Sequence, residues 1–449
     1  MTALSAVFWG LIVISLLVVV HEGGHFLVAR AFGIRVTEFF IGMPSKARLS
    51  WRSKKYGTEF GITPVLLGGY NRICGMEPLG DEHMPQVLAI VQRDGTTDAV
   101  AIAEELGISA DEAYDNLLTL SDWASIARVE APRGSDKADV FTTQRRDARL
   151  LTMYDKGHDF TTSGVTEAGE PRPIADADSF CEQERLHTYD GKAWWKRILI
   201  LLAGAAVNIA IAFFLVIGDM TLAGIEVVSD TNVISGVEQG GLAEQAGLQA
   251  GDRIVGIAGE RTDSWTDISA AVDSALGAAQ PFEVLYERDG VSGAAEIDLP
   301  SDGSATAIGI YASTEIYHAS LVEATRVAVA YVGQVGTMVA QILMPQHTVE
   351  IVSQSSSVVG ISVMASQAAS SGASDFIALL AAVSLSLGFM NLLPIPPLDG
   401  GKILIEIIQA IRGKRVSMKA QTAISYVGLA FFMVIFVFAL FNDVTRIIG

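Results

Sequence analysis

Four apolar runs, each about as long as the ~20 residues a helix needs to cross a bilayer, restrict this chain more than anything else in it. They are the N-terminal "MTALSAVFWGLIVISLLVV" and residues 196–222, 375–397 and 422–441. A bilayer core offers no water to backbone N–H and C=O groups, so each run is expected as a helix. The first run is interrupted. Its continuation, "VVVHEGGHFLVARAFGI" at 18–34, places His21, Glu22 and His25 within the span. Ionisable groups at such depth are costly and usually mark a functional site with partners nearby.

Half of the 449 residues are hydrophobic, which suits a membrane protein with soluble parts. The formal charge of −19 argues against a nucleic-acid surface, which would need a basic face. Cys74 and Cys181 are the two cysteines and stand in no CxxC or Cys/His cluster, so no disulfide framework is expected. No Lys or Arg precedes the first run and no clear small-residue cleavage site follows it, so it reads as a retained span.

Basic residues fix the orientation. Arg30, Arg35, Lys46, Arg48, Arg52, Lys54 and Lys55 follow the first span, and Lys192, Lys196 and Arg197 precede the second. Arg412, Lys414, Arg415 and Lys419 lie between the third and fourth, whereas 224–374 holds no lysine. Both termini are therefore expected outside, with 33–195 cytoplasmic and 224–374 exoplasmic. A fifth apolar stretch, 321–344, carries Glu323 and Arg326 and reads as an amphipathic helix on the outer surface rather than a span.

On a helix, His21 and His25 share one face at i and i+4. That spacing lets two imidazoles grip one Zn²⁺, with Glu22 beside them as a general base. A zinc site of catalytic type needs a third protein ligand and an open position. The candidate is Asp399 in "FMNLLPIPPLDGGKIL", where three prolines break the third run and Gly-Gly follows the acid. The inferred topology puts Asp399 at the same cytoplasmic depth as the histidines. A helix-capping aspartate is the alternative for that residue. His83, His158, His187, His318 and His347 are scattered without ligand spacing and read as structural or solvated.

With both segments in view, the sequence resembles the site-2 protease family of intramembrane zinc metalloproteases, of the bacterial regulator-of-sigma-E-protease type with a PDZ domain. "HEGGH" matches the family's HExGH motif, and "NLLPIPPLDGG" its NxxPxPxLDGG motif. "TPVLLGGYNRICGM", 63–76, is similar to its membrane re-entrant β-hairpin, with Gly68, Gly69 and Tyr70 matching, although Asn71 and Met76 depart from the pattern. "AGAAVN" matches a second-span AGPxxN pattern, with Ala205 for the proline and Asn208 kept. "SVVGISVMASQAA", 357–369, is a looser match. The resemblance implies a polytopic α-helical core, zinc on His21, His25 and Asp399, and Glu22 as the catalytic base. It implies substrate contacts at Gly68, Gly69, Tyr70, Asn391 and Asn208, and location in the bacterial inner membrane.

The expected domains follow. Residues 1–76 hold the first span, zinc motif and hairpin, 77–155 a cytoplasmic insert and 156–190 a flexible linker. The second span is 191–223 and a PDZ domain 224–300. An exoplasmic segment covers 301–374, and the third and fourth spans 375–449. The PDZ reading rests on "GGLAEQAGLQAGDRIVGIAG", with Gly251-Asp252 turning into a strand and "WTDISAAVDSA" as the groove helix; such a groove takes a peptide by strand addition. A rigid spacer or a size filter remains open for it. The insert has the "LGIS" rhythm of a helix-turn-helix and reads as winged-helix-like. Asp111, Glu112 and Asp115 on its second helix would repel phosphates, so a protein partner or a clamp is expected instead of nucleic acid.

The activity implied is peptide-bond hydrolysis within the lipid bilayer. Its substrates would be single-pass transmembrane proteins, such as anti-sigma factors, or remnant signal peptides. The alternative is a proteolytically silent scaffold that binds peptides through the PDZ domain and the insert.

Overall fold

The computed structural model describes residues 3–53, 57–76, 80–129, 139–147, 165–300, 306–344, 346, 357–414 and 416–448. The chain forms two compact units, one of Met1–Val216 with Val327–Gly449 and one of Ile217–Arg326. Among the described residues, four helices are long and apolar enough to cross a membrane: Ala3–Ala31, Trp194–Ala223, Ala373–Asn391 and Ala420–Phe441. The protein is a polytopic membrane protein.

In the first unit, α1 (Ala3–Ala31) is the first span and ends at Gly33, whose positive φ lets the chain turn back. Four strands follow: β1 (Val36–Ile41), β2 (Leu49–Arg52), β3 (Glu59–Ile62) and β4 (Gly69–Ile73). Their order is β2-β3-β1-β4, with β1 parallel to β3 and antiparallel to β4. This corrects the hairpin expected at 63–76. Strands β3 and β4 flank β1 instead of pairing with each other. Residues 63–68 cross the end of β1, where Met43 N–H donates to Val65 O and Gly42 N–H to Gly68 O. The backbone of 63–68 is spent on these bonds to the end of β1, and β4 pairs with β1 itself. Strand β4 is left at the sheet edge.

The insert follows as α2 (Met84–Asp94), β5 (Thr96–Asp98), α3 (Ala99–Leu106), α4 (Ala110–Asp122), β6 (Ile126–Val129) and β7 (Val140–Thr143). A capping box of Ser109 and Glu112 starts α4. The sheet order is β5-β7-β6, and Leu88, Ile102, Leu117, Trp123 and Phe141 fill one core against the helices. Residues 130–138, between β6 and β7, lie outside the described residues, as do His158 and His347.

The stretch 156–190 differs from the expected linker. Its first part, 156–164, is outside the described residues, but the rest is folded. Strand β8 (Arg146–Asp147) pairs with β9 (Val165–Thr166), and α5 (Ala177–Arg185) puts Cys181 into the core of the insert. Its polar composition hid a helix whose burial rests on few side chains. Next comes α6 (Trp194–Gly218), the second span.

The second unit contains β10 (Ile225–Val228), β11 (Ile234–Val237), α7 (Leu242–Gln245), β12 (Arg253–Ile257), β13 (Glu260–Arg261) and α8 (Trp265–Ala278). Strands β14 (Phe282–Arg288), β15 (Val291–Ile297), β16 (Ile310–Ala312) and β17 (Thr314–Tyr317) complete it. Four strands run β13-β12-β14-β15, while β10 pairs with β17 and β11 with β16. Ile234, Ile254, Ile268, Val284 and Ile297 form its core. Gly251 takes positive φ, and buried Asp252 accepts from Gln249 N–H and from Arg288 before β12 begins.

After α9 (Leu321–Gln341), the first unit resumes with α10 (Val358–Ser371), α11 (Ala373–Asn391), α12 (Asp399–Arg412) and α13 (Met418–Ile448). Val335 and Val339 of α9 pack with Ala212 of α6 and with Ala381 and Leu385 of α11. Helix α10 lies along α1, with Ala365 against Val13 and Leu17. Asp443 of α13 accepts from the N–H groups of Ser357 and Gly360 where α10 begins, 2.6 and 3.2 Å away.

Candidate metal centre

Residues 392–398, with Pro394, Pro396 and Pro397, separate α11 from α12, because proline supplies no N–H to continue a helix. Asp399 is therefore not the end of a span but the first residue of a separate, amphipathic helix. That start aims its carboxylate at α1. Asp399 Oδ2 lies 3.1 Å from Nε2 of both His21 and His25, and the two Nε2 atoms are 3.2 Å apart. All three residues are buried. They are a group of His and carboxylate donors able to hold one metal ion.

Helix α6 holds this triangle from behind. His25 Nδ1–H donates to the Ile200 carbonyl at 2.7 Å, which sets the tautomer and turns Nε2 toward Asp399. The approach of α1 to α6 depends on two glycines. A Cβ on Gly24 would overlap the Ala203 carbonyl, and one on Gly204 would overlap His25 Nε2 and His21 Cε1. Only hydrogen at both places lets the helices come this near.

Helix α12 is fixed two turns beyond Asp399. Buried Glu406 accepts from the Tyr189 hydroxyl at 3.2 Å and pairs with Arg197 of α6 at 3.0 Å. Lys402, Glu406, Gln409, Gln421 and Thr422 help line a cavity of about 400 Å³ whose lining is half apolar, with Met76, Pro396 and Ile405 among it.

The donor set fits zinc. Ligands about 2.0–2.1 Å from a tetrahedral Zn²⁺ stand roughly 3.3 Å from one another. The observed 3.1–3.2 Å edges match that triangle. Two imidazoles and one carboxylate leave a fourth position open, as a hydrolytic site requires. Glu22 adjoins the triangle on α1, half-buried.

The other expected site residues are dispersed around it. Gly68 and Gly69 lead into β4 and would, with a Cβ, touch Val18 and Val19 of α1, one turn before His21. Tyr70 stacks on Phe40 and donates to Glu38 at 2.8 Å, within the sheet. Asn391 ends α11, with its amide donating to Leu387 O of its own helix. Asn208 of α6 is fully buried, and its side-chain amide has no protein partner among the described residues. Ser384 of α11 donates to its carbonyl.

Asn71 was overlooked. Its Nδ2 donates to the main-chain carbonyl of Glu22 at 2.9 Å, tying β4 to the turn that carries the acid. The one sequence signal was its departure from an apolar family position.

The model of peptidase family M50 matches residues 9–435. The zinc metalloprotease RasP of Bacillus licheniformis is 27% identical over 442 residues, 97% of this chain and 98% of that one. The regulator of sigma-W protease RasP of Bacillus subtilis is 27% identical over 450 residues, 97% of each chain. A putative zinc metalloprotease of Lactococcus lactis is 28% identical over 458 residues, again 97% of each.

Proposed function

The chain belongs to peptidase family M50 and is a zinc metalloprotease, and on that premise we propose that it cuts transmembrane segments of single-pass proteins at His21, Glu22, His25 and Asp399. The observation that carries this reading is the convergence of three zinc-type donors from α1 and α12 beside Glu22. His21, His25 and Asp399 would hold Zn²⁺, which polarises a carbonyl and makes water acidic near neutral pH. Glu22 takes the water's proton and delivers it to the leaving amine.

A helical substrate offers no free amide edge, so it must unwind before attack. Strand β4 presents a free edge next to α1, and an unwound segment can add to it as a further strand. Gly68 and Gly69 keep that edge near α1, and Tyr70 stiffens it through Phe40 and Glu38. Asn208, with an unspent buried amide, and Asn391 are placed here as contacts for substrate backbone.

The basic-residue pattern supports both termini outside, with the sheet and insert in the cytoplasm. Anti-sigma factors are the favoured substrate class, because one relative is named a regulator of sigma-W protease; remnant signal peptides share the single-pass chemistry. The second unit is read as a PDZ domain that takes a peptide or filters substrates by size. Its support is the Gly251-Asp252 turn into β12 and the helix α8. The winged-helix reading of the insert is supported by the order α2-β5-α3-α4-β6-β7 with β7 central.

The test pairs zinc content with cleavage of a single-pass reporter. Wild type and Glu22→Gln should both carry about one zinc, with cleavage in the variant reduced by at least ~100-fold. Equal cleavage by both would remove Glu22 from the chemistry. Zinc in both but cleavage in neither would point to a missing substrate or gating by the second unit, and no zinc in folded protein would leave the silent scaffold.

A further inference from the structure

The insert makes a set of contacts that a free partner-binding module would not need. All of them converge on one end of the sheet beside α1, where β1 begins and the antiparallel β4 ends, with Val36 opposite Ile73. At the start of β1, Arg35 is fully buried and pairs with Glu184 of α5 at 2.7 and 3.2 Å. Arg146 binds the same carboxylate at 2.8 and 3.0 Å, and the Ser125 hydroxyl donates to it at 2.6 Å. Arg35 also donates to the Trp123 carbonyl and, through its own N–H, to His187 O.

At the end of β4 the grip is closer still. Asp122, the last residue of α4, accepts from Gly75 N–H at 2.7 Å and lies 3.6 Å from the Arg72 guanidinium. Tyr189 N–H donates to Cys74 O at 2.8 Å. Gly75 has φ +78, and a Cβ there would overlap Thr188 and touch Trp123. At the middle of the strand, Asn71 binds the Glu22 carbonyl. Strand β4 is thus held between the insert and the helix turn bearing the acid.

We infer that the insert is a clamp that holds the edge strand β4 in register against α1, with Asp122 as its positioning residue. A buried ion cluster is weak evidence for stability but strongly fixes geometry, since breaking it strands a charge. An edge strand that must accept an added strand is paired on one side only among the described residues, so its register rests on that pairing and on what anchors the chain where the strand ends. That last step rests on the strand-addition reading given above. Asn71 is the second positioning residue and couples the strand to Glu22.

The test uses the full chain in lipid nanodiscs, with zinc bound, and compares wild type with Asp122→Ala and Asp122→Asn. Three quantities are read: zinc content, kcat and KM on a single-pass reporter, and amide exchange of peptides covering 69–76. The expected result for Asp122→Ala is unchanged zinc, kcat within about 2-fold, KM raised about 5- to 10-fold, and faster exchange at 69–76 alone. Asp122→Asn keeps an oxygen for Gly75 N–H and is expected to restore KM and exchange to near wild type.

Unchanged exchange at 69–76 in Asp122→Ala overturns the clamp, whatever KM does. Faster exchange there with unchanged KM upholds the clamp and removes the strand-addition reading instead. If exchange also rises across α2–α4, the alanine variant has loosened the whole insert and Asp122→Asn decides. Wild-type behaviour of that variant upholds the clamp, and a raised KM with slow exchange overturns it.

Discussion

A Cβ at Gly204 would meet the imidazoles of His21 and His25 themselves. Replacing this glycine by alanine drives a methyl into His25 Nε2 and His21 Cε1, so the helices must part or the imidazoles must turn. The expected outcome for Gly204→Ala is loss of most bound zinc, read by metal analysis, and at least a ~100-fold fall in cleavage. Gly218→Ala, at the end of the same helix with open space around it, should leave both unchanged. Equal zinc in the two variants would mean that α6 does not set the donor geometry. His21, Glu22 and His25 are readable from the chain because one helical turn fixes their relation locally. Asp399 is readable because its depth can be matched through topology. Asn71 is not, since its partner is a backbone carbonyl on another element, and no spacing encodes that bond.

Strands and short helices depend on partners far along the chain, and the two revised elements are of that kind. The segment 63–76 has the look of a hairpin, yet it holds the single strand β4, whose partner is β1, begun 27 residues before the segment. Helix α5 reads as a linker until Arg35 and Arg146 are seen to need Glu184. Burial pushes the Glu184 carboxyl up, but Arg146 and Arg35 outweigh it and hold the group at about 2, against 4.5 for a free glutamate. The carboxyl is therefore more acidic folded than unfolded. Its contribution is whole above about pH 4.5 and is lost as pH falls through about 2. Pepsin should accordingly begin to cut within 80–190 of the wild type between pH 4.5 and 2. Glu184→Gln, which leaves two buried guanidinium groups with no anion in the cluster, should weaken the insert by about 3–5 kcal/mol. It should be cut across that whole range. Resistance of the variant equal to wild type would show that the cluster adds nothing to the insert.

The whole chain also offers a simple test of its orientation. Both native cysteines are buried, so an introduced thiol is read against little background. With the termini outside, Ser50→Cys in β2 should react with a membrane-impermeant maleimide only after the cells are opened. Arg261→Cys in β13 should react in intact cells. The reverse pattern would invert the assigned topology while leaving the metal centre untouched.

His25 and Asp399 meet across 374 residues of sequence. During synthesis, then, the first span enters the bilayer with two of the three donors and stays inert while the sheet, the insert, the second span and the whole second unit are made. The third donor arrives only with the last two helices. A ribosome that stalls, or a message cut short, before codon 399 leaves a membrane-inserted fragment without a complete metal site. The cell is thereby spared an unfinished protease among its newly inserted proteins.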